Sequence, residues 1–201
     1  MARELTMVSF IVGLVLVLTG GTAALGDPIQ WDTAAGGNGH WYEIVVDTDV
    51  SWSDAQANAE AAGGDLASIH SQCEQDFIES ILDIQATITG GYWIGFNDEA
   101  EEANWIWTSS EPTTYTNWCT GEPNGSRGEN CAHVLWTVTP SEVNYYRRGL
   151  WNDMREQGRS DSDPDTDINR GGYIVEIVPE PTTLGLLAIC GLGLMRTKRR
   201  R

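Results

Sequence analysis

The segment Trp118-Cys119-Thr120-Gly121-Glu122-Pro123-Asn124 lies inside a polar stretch that runs from Thr108 to Asn130. This stretch is rich in Pro, Gly and Asn, and it is too long to be a plain connection between two secondary-structure elements. Long loops of this kind tend to carry binding or catalytic residues on a rigid scaffold. The sequence therefore predicts a functional loop, and the segments on either side of it must supply the scaffold.

Two amphipathic helices are predicted before the loop. Each begins at a serine, Ser51 or Ser71, that is followed three residues later by an acidic residue, the spacing of a helix capping box. Gly63-Gly64 is expected to end the first helix. Apolar residues recur on one face of each helix. They are Trp52, Ala55, Ala59 and Ala62 in the first helix and Phe77, Ile78, Ile81 and Leu82 in the second.

Short strands, rich in aromatic and β-branched residues, are predicted on both sides of the loop. They lie at 41–46, 92–96, 105–107, 131–138, 150–151 and 173–178. Two early helices followed by several short strands indicate an α+β domain. When both chain ends are set aside, residues 27–178 remain, and a chain of about 150 residues suits one domain with a single core.

The charge of this domain is strongly negative. Residues 27–178 contain 27 Asp and Glu, six Arg and no Lys, which gives a formal charge of −21. Such a surface repels nucleic acid and anionic membranes, so the domain is a poor candidate for binding either, and no nucleic-acid partner is predicted. A solvated acidic surface explains most of these charges, and the composition also suits cation binding.

Residues 1–26 have the order of regions found in a secretory signal peptide. Arg3 precedes an apolar run from Met7 to Leu18, and small residues follow before Asp27. This run is shorter than the ~20 residues that a membrane span needs. We therefore predict export and cleavage before Asp27. A cut a few residues earlier also fits, and an uncleaved membrane anchor is the alternative.

The other end, residues 179–201, combines Pro179-Glu180-Pro181, an apolar segment from Leu184 to Met195 and a basic terminus. This combination resembles the PEP-CTERM sorting signal of bacterial envelope and exopolysaccharide-associated proteins. The resemblance implies removal of the tail by an exosortase-type membrane enzyme and a location at the cell surface or in the extracellular matrix. A helix of this length covers only about 18 Å, so we expect transient membrane association. A permanent C-terminal transmembrane helix is the alternative.

The order of landmarks across residues 40–178 resembles that of the C-type lectin-like domain. The landmarks are Trp52-x-x-Ala55 with Gly63-Gly64-Asp65-Leu66-Ala67-Ser68-Ile69, Trp93-Ile94-Gly95-Phe96, Trp118 to Asn124, Glu129-Asn130-Cys131 and Trp151-Asn152-Asp153. Each motif alone is weak, but five in register within one domain are specific. The resemblance implies a C-type lectin-like fold over 27–178, with two helices, small antiparallel sheets and a long loop that binds calcium and sugar.

The same resemblance implies five calcium ligands that all offer side-chain oxygens. They are Glu122, Asn124, Glu129, Asn152 and Asp153. Calcium takes six to eight oxygen ligands, and the three carboxylates would leave about one surplus negative charge over the ion. In the family the Glu–Pro bond of this loop is cis, which turns the flanking side chains to the same side. We expect a cis bond before Pro123, although only about 5–6% of X–Pro bonds are cis.

The family's sugar site implies that two neighbouring sugar hydroxyls bind the ion and hydrogen-bond to Glu122, Asn124, Glu129 and Asn152. Each hydroxyl accepts from an Asn amide and donates to a carboxylate. Glu-Pro-Asn, as opposed to Gln-Pro-Asp, implies mannose-type sugars such as mannose, N-acetylglucosamine and glucose. A shallow site of this kind needs several copies for useful binding. The alternative is an adhesion or matrix domain that binds protein and uses calcium only for stability.

The cysteines depart from the family's disulfide pattern. The chain has four: Cys73, Cys119, Cys131 and Cys190. Cys131 keeps its family position but lacks its usual partner, so we predict a bridge to Cys119, which export would permit. Two buried free thiols are the alternative. A zinc site of Cys119, Cys131 and His133 lacks a fourth ligand.

Some members of the family hold an accessory calcium ion, and the register places Asp98, Glu102 and Glu129 among its ligands. Gly125 and Asn130 occupy positions that better ligands often fill in the family. The insertion from Asp161 to Asp167 has Asp at every second position. It lacks the glycine and the glutamate that complete a calcium loop of the EF-hand type, so we predict a solvated loop.

Enzymatic activity is not predicted. The sequence contains neither the Gly-x-Ser-x-Gly nor the His-Glu-x-x-His motif. His40, His70 and His133 follow no pattern that pairs them with a nucleophile or a metal ligand. The abundant carboxylates already have an explanation in calcium binding. The sequence therefore favours a binding protein.

Overall fold

The structure of the chain is a computed structural model that describes residues 24–25, 27–125, 128–138, 147–157 and 170–179. Within these residues the strands are β1 (Ala24–Leu25), β2 (Ile29–Gln30), β3 (Trp41–Val46), β4 (Asp65–Leu66), β5 (Gly90–Asn97), β6 (Ile106–Trp107), β7 (Cys131–Trp136), β8 (Trp151–Met154) and β9 (Arg170–Ile177). The helices are α1 (Trp52–Ala61), α2 (Gln72–Gln85) and a short 3-10 helix (Thr33–Ala35).

Both predicted helices form, and each is capped as its sequence indicates. The hydroxyls of Ser51 and Ser71 accept hydrogen bonds from the backbone N–H three residues on, at 3.1 and 3.2 Å. Gly63, with a φ of 85°, follows the end of α1 in the left-handed conformation that glycine favours. Because α1 ends at Ala61, the last member of the predicted stripe, Ala62, is exposed.

The strands form one sheet in the order β1-β3-β9-β5-β7-β8, with β2 beside β3, β4 beside β9 and β6 beside β5. The described strand neighbours run antiparallel except β5 and β9, which are parallel, with Trp93 opposite Tyr173. The predicted α+β fold is confirmed. The parallel pair joins the predicted small antiparallel sheets into one mixed sheet. Because β3 and β9 lie side by side, the two ends of the domain meet.

The sheet carries a core on each face, because successive side chains of a strand point to opposite sides. Tyr92, Ile94 and Phe96 of β5 belong to the larger apolar cluster, which α2 covers with Ile78 and its neighbours. Trp93 lies between them in sequence but packs with residues of α1 in the smaller cluster on the other face. The two helices therefore stabilise opposite faces of the same sheet.

Aromatic rings form a floor beneath the long loop. Phe96 stacks on Trp107 with ring centroids 4.3 Å apart, and Trp118 meets Trp151 edge to face at 5.8 Å. The fully buried Trp151 also donates from Nε1 to Gln75 Oε1 of α2 at 2.9 Å. These contacts fix the position of β8, the strand that carries two of the predicted calcium ligands.

Few residues of the two chain ends are described, so the structure bears on only part of what was predicted for them. Ala24–Leu25 pairs with Val45 and Val46 of β3, a pairing that only the earlier of the two predicted signal-peptide cuts would retain. No helix in the described part of the chain is long and apolar enough to span a membrane. The apolar tail segment 184–195 and the insertion 161–167 lie outside the described residues.

Candidate metal centre

The long loop reaches the candidate site by pairing along the outer edge of β8. Trp118 forms a parallel bridge with Trp151, and the Cys119 N–H donates to the Trp151 carbonyl at 2.8 Å. On its other edge β8 pairs with β7. The strand is therefore held between the loop and the sheet, and the Glu122–Asn124 segment comes to lie beside Asn152 and Asp153.

The Glu122–Pro123 peptide bond is cis, as predicted. The side chains of Glu122 and Asn124 lie on the same side of the loop, since Asn124 Nδ2 donates to Glu122 Oε2 at 2.5 Å. The loop backbone faces Asp153, whose Oδ2 accepts hydrogen bonds from the N–H groups of Asn124 and Gly125 at 3.0 and 2.8 Å. Two segments that are distant in sequence thus meet at one carboxylate.

Asp153 is the most deeply buried carboxylate of this group, with an exposed fraction of 1%. Its Oδ1 is buried without a hydrogen-bond partner among the described residues. A buried carboxylate oxygen of this kind is costly unless a donor or a cation meets it. Burial raises the pKa of Glu122, and the adjacent Asp153 carboxyl raises it further. The donor set therefore fits a hard divalent cation such as calcium.

Asn152 brings a further oxygen from β8, and this oxygen already contacts a positive charge. Its Oδ1 accepts from Nη2 of Arg147 at 3.2 Å, and its Nδ2 donates to the Asp153 carbonyl at 2.6 Å. Sequence reasoning missed Arg147, although it is one of only six arginines in an acidic domain and stands five positions before Asn152. We define the loop cluster as Glu122, Asn124, Asn152 and Asp153.

Glu129, the fifth predicted ligand, is half-buried and comes shortly after residues 126–127, which lie outside the described residues. The described His, Cys, Asp and Glu side chains include no group of three that is close enough to hold a metal ion. Among the described residues Glu129 belongs to no such group, and its role as a ligand stays a prediction from the resemblance. The loop cluster depends instead on its two asparagine amides, whose oxygens calcium also takes as ligands.

Asp98 and Glu102, the predicted accessory ligands, lie just after β5. Asp98 is only 2% exposed. Its Oδ2 accepts a hydrogen bond from the Ala103 N–H at 2.8 Å. Its Oδ1 is buried without a hydrogen-bond partner in the described part of the chain. Glu102 reaches the loop at Gly125, where an added Cβ would lie 2.6 Å from its Oε1. The glycine therefore leaves room for this carboxylate next to the loop cluster.

The predicted disulfide between Cys119 and Cys131 is wrong, because both thiols are free and buried. Cys131 pairs with Met154 on one edge of β8, whereas Cys119 pairs on the opposite edge. Since neighbouring strands lie about 4.8 Å apart, an intervening strand separates the two cysteines by more than a bridge can span. Arg147 Nε instead donates to Cys119 Sγ at 3.3 Å, and the Cys131 thiol lies 3.9 Å from Glu99 Oε1.

Two family models match the chain. Residues 48–159 match the Lectin C-type domain, and residues 178–201 match the PEP-CTERM protein-sorting motif. The first match covers more than half of the chain, so the chain belongs to the C-type lectin domain family. Members of this family are typically binding proteins rather than enzymes, and membership supports carbohydrate binding. The sorting motif implies export to the bacterial envelope or surface.

Curated relatives share the lectin segment. The chain is 36% identical over 107 residues to the Alpha-N-acetylgalactosamine-specific lectin of Patiria pectinifera, a match that covers 53% of this chain and 60% of that protein. It is 36% identical over 119 residues to a C-type lectin mannose-binding isoform of Oxyuranus scutellatus, covering 54% and 74%. Because the first match spans less than two thirds of that relative, it describes the shared domain rather than the whole protein.

Solved structures agree with the fold. The carbohydrate-recognition domain of the mouse scavenger receptor C-type lectin is 25% identical, with a TM-score of 0.51 over 70% of this chain and 92% of that one. The cow CD23 domain, solved in the presence of a GlcNAc2Man3 oligosaccharide, is 29% identical, with a TM-score of 0.52 over 70% and 88%. The predicted C-type lectin-like fold is therefore confirmed.

Proposed function

We propose that the loop cluster binds a calcium ion and, with it, sugars of the mannose type. The observation that carries this proposal is the contact of the Glu122–Asn124 segment with Asp153, whose Oδ1 is buried without a partner among the described residues. When bound, the ion supplies an acidic centre on which sugar hydroxyls replace water. Glu129 is the fifth ligand in this proposal.

Glu122 and Asn124 have complementary roles toward a sugar hydroxyl. A carboxylate only accepts hydrogen bonds, whereas an amide Nδ2 donates them. A hydroxyl between the two therefore donates to Glu122 and accepts from Asn124, and Glu129 and Asn152 do the same for a second hydroxyl. One relative is named for mannose binding and another for N-acetylgalactosamine. We therefore base the choice of mannose, N-acetylglucosamine and glucose on this chain's own Glu-Pro-Asn segment.

A second calcium ion is proposed next to the loop cluster, at Asp98 and Glu102. Asp98 Oδ1, which is buried and has no hydrogen-bond partner among the described residues, supports this position, and so does the approach of Glu102 to Gly125. A hard cation would satisfy both carboxylates at once. The proposed role of this ion is to hold the loop against the end of β5.

We also propose that the exported domain acts at the cell surface or in exopolysaccharide. The sorting motif over residues 178–201 supports removal of the tail by an exosortase-type enzyme. The charge of −21 over residues 27–178 argues against nucleic acid as a partner. A neutral or weakly charged polysaccharide is therefore the expected partner.

Binding of the purified protein to an array of mannose-type and galactose-type glycans, in calcium and in chelator, tests this function. We expect mannose-type glycans to bind in calcium and to be released by chelator. If calcium stabilises the fold but no glycan binds, the sugar proposal is wrong. That result would favour the alternative, an adhesion domain that binds protein and uses calcium only for stability.

The sugar preference is tested by the double variant E122Q/N124D, which exchanges the donor and the acceptor beside Pro123. We expect the preference to move toward galactose-type glycans. The matched control is E101Q/N104D, because Asn104 Nδ2 donates to Glu101 Oε2 at 3.2 Å in an equivalent but exposed pair. Unchanged selectivity in the first variant, with calcium still bound, would contradict the proposed hydroxyl contacts.

A further inference from the structure

The guanidinium of Arg147 lies against two of the proposed calcium ligands. Nη2 is 3.2 Å from Asn152 Oδ1 and 3.8 Å from Glu122 Oε1, and Nε is 3.3 Å from Cys119 Sγ. The side chains of Arg147 and Glu122 are only 18% and 13% exposed. A permanent positive charge therefore sits half-buried at the edge of the loop cluster.

The two oxygens that Arg147 contacts, Asn152 Oδ1 and Glu122 Oε1, belong to side chains that a calcium ion would use. Asn152 has a single side-chain oxygen, and its Nδ2 already donates to the Asp153 carbonyl. A guanidinium only donates hydrogen bonds and stays charged, while calcium binds oxygen at about 2.3–2.6 Å. Two cations that share one oxygen in half-buried surroundings repel each other, because charge is poorly screened there.

The backbone holds Arg147 beside the cluster, so any adjustment falls on its side chain. The Leu150 N–H donates to the Arg147 carbonyl at 3.0 Å, and the Gly149 N–H donates to the Leu135 carbonyl of β7 at 2.8 Å. The next residue, Arg148, has a different environment. Its guanidinium pairs with Asp83 of α2 and lies 3.6 Å from the centre of the Trp136 ring. Arg148 is therefore a natural control.

We propose that Arg147 is a built-in competitor of the calcium ion: its guanidinium and the ion bind the same oxygens of Asn152 and Glu122, so each weakens the binding of the other. This inference rests on the calcium site of the proposed function. Arg147 then supports the loop cluster when calcium is scarce. It also raises the calcium concentration that the site requires, toward the ~10⁻⁴–10⁻³ M range of extracellular modules.

Calorimetric titration of the full chain with calcium tests the competition. The variant R147Q keeps a hydrogen-bond donor for Asn152 but removes the charge. We expect it to bind calcium about tenfold more tightly than the wild type, within the usual range of coupling between two ligands. R147K keeps the charge and is expected to resemble the wild type, and R148Q, which removes a charge one residue away, is expected to bind calcium unchanged.

The outcomes separate this inference from the proposed function. If the wild type binds calcium and R147Q binds it equally or more weakly, the inference is wrong and the calcium site stands. If R147Q binds calcium and the wild type does not, the competition is supported in its most extreme form. If neither protein binds calcium, both the proposed site and the competition are overturned.

A second measurement uses the wild-type protein and does not depend on the folding of R147Q. R147K identifies the Nε–H signal of Arg147 in the NMR spectrum, because that signal disappears in the variant. Calcium should shift the signal with the midpoint of ion binding, while the Nε–H signal of Arg148 stays in place. A signal of Arg147 that does not respond at saturating calcium overturns the inference.

Discussion

Two clusters of buried carboxyl groups in this domain differ in how their oxygens are satisfied. We define the tyrosine cluster as His40, Tyr42, Glu74 and Glu176. The Tyr42 hydroxyl lies 2.6 Å from Glu74 Oε1 and 2.9 Å from Glu176 Oε1, and the His40 ring lies 2.6 Å from the latter oxygen. Backbone N–H groups donate to the other two carboxylate oxygens, Glu74 Oε2 at 2.8 Å and Glu176 Oε2 at 3.0 Å. Every carboxylate oxygen of this cluster therefore has a partner.

The loop cluster contains similar groups, but its carboxylate oxygens are not satisfied in the same way. Two backbone N–H groups meet one oxygen of Asp153, and the other oxygen is buried without a partner among the described residues. Burial of carboxyl groups is thus not what distinguishes a metal site in this fold. The supply of donors distinguishes it, so we expect the tyrosine cluster to stabilise the fold without metal and the loop cluster to respond to calcium.

The largest effect is expected from E176A, which removes an acceptor from the tyrosine cluster. The variant leaves Tyr42, His40 and a buried backbone N–H without this partner, so it should lower the free energy of unfolding by about 3 kcal/mol. Urea unfolding should give the same loss in calcium and in chelator. The control is E111A, which removes a carboxylate that is 53% exposed and lies 2.7 Å from His70. A loss for E176A that differs between calcium and chelator would contradict the claim that the tyrosine cluster stabilises the fold without metal.

Calcium itself should have the next largest effect. At a concentration about 100 times its dissociation constant, calcium should raise the free energy of unfolding of the wild type by about 2.7 kcal/mol. D153N should lose this gain, because it removes the charge of the central carboxylate while its amide oxygen still accepts from the loop N–H groups. E74Q, altered in the tyrosine cluster, should keep the gain. Equal responses of D153N and the wild type to calcium would contradict the loop cluster as the site.

The pH dependence should distinguish the clusters further. Burial raises the pKa of Glu176 above its ordinary value of 4.5. A carboxyl whose pKa is raised on folding stabilises the fold below the unfolded value, and this contribution is lost as the pH rises through the folded value. In chelator, the wild type should therefore become less stable relative to E176Q as the pH rises from 4.5 through the raised pKa of Glu176. Parallel stability curves would contradict the buried carboxyl.

The loop cluster should have the opposite dependence when calcium is present. Burial also raises the pKa of Glu122, and calcium binds the deprotonated carboxylate. The stabilisation by calcium should therefore grow as the pH rises through the pKa of Glu122. Unfolding in saturating and in zero calcium across this range measures the effect, and E122Q should flatten it. A calcium gain that falls with rising pH would be inconsistent with this site.

The smallest effect is expected from redox conditions. Because β8 separates Cys119 from Cys131, a reducing agent should change the free energy of unfolding by less than about 0.5 kcal/mol. Thermal unfolding with and without reductant checks this, and C119S should respond as the wild type does. A loss of ~2–5 kcal/mol on reduction, typical of a native disulfide, would mean that the two thiols are joined.

The elements that the sequence predicted well depend on neighbours in the chain. The caps at Ser51 and Ser71 and the apolar stripes behind them involve residues within one or two helical turns, so the local pattern was sufficient. The cis bond before Pro123 followed from the resemblance and is present. The disulfide prediction was wrong because strand order is not local, and the position of β8 between Cys119 and Cys131 is set by the whole sheet.

The contacts that sequence reasoning missed join distant segments. His40 and Glu176 are 136 positions apart and meet only because β3 and β9 are neighbours in the sheet. Arg147 reaches Glu122 only because the loop pairs along β8. No periodicity or motif links such residues, since their meeting depends on tertiary packing. The scarcity of basic residues, with Arg147 among only six arginines in an acidic domain, was the one signal that the sequence offered.

A crystal structure of the protein grown with calcium and mannose is the most direct test of the central claim. We predict an ion about 2.3–2.6 Å from oxygens of Glu122, Asn124, Glu129, Asn152 and Asp153. Two neighbouring hydroxyls of the sugar should bind the same ion. A well-ordered loop with only water at this position would contradict the account, even if calcium is bound at Asp98 and Glu102.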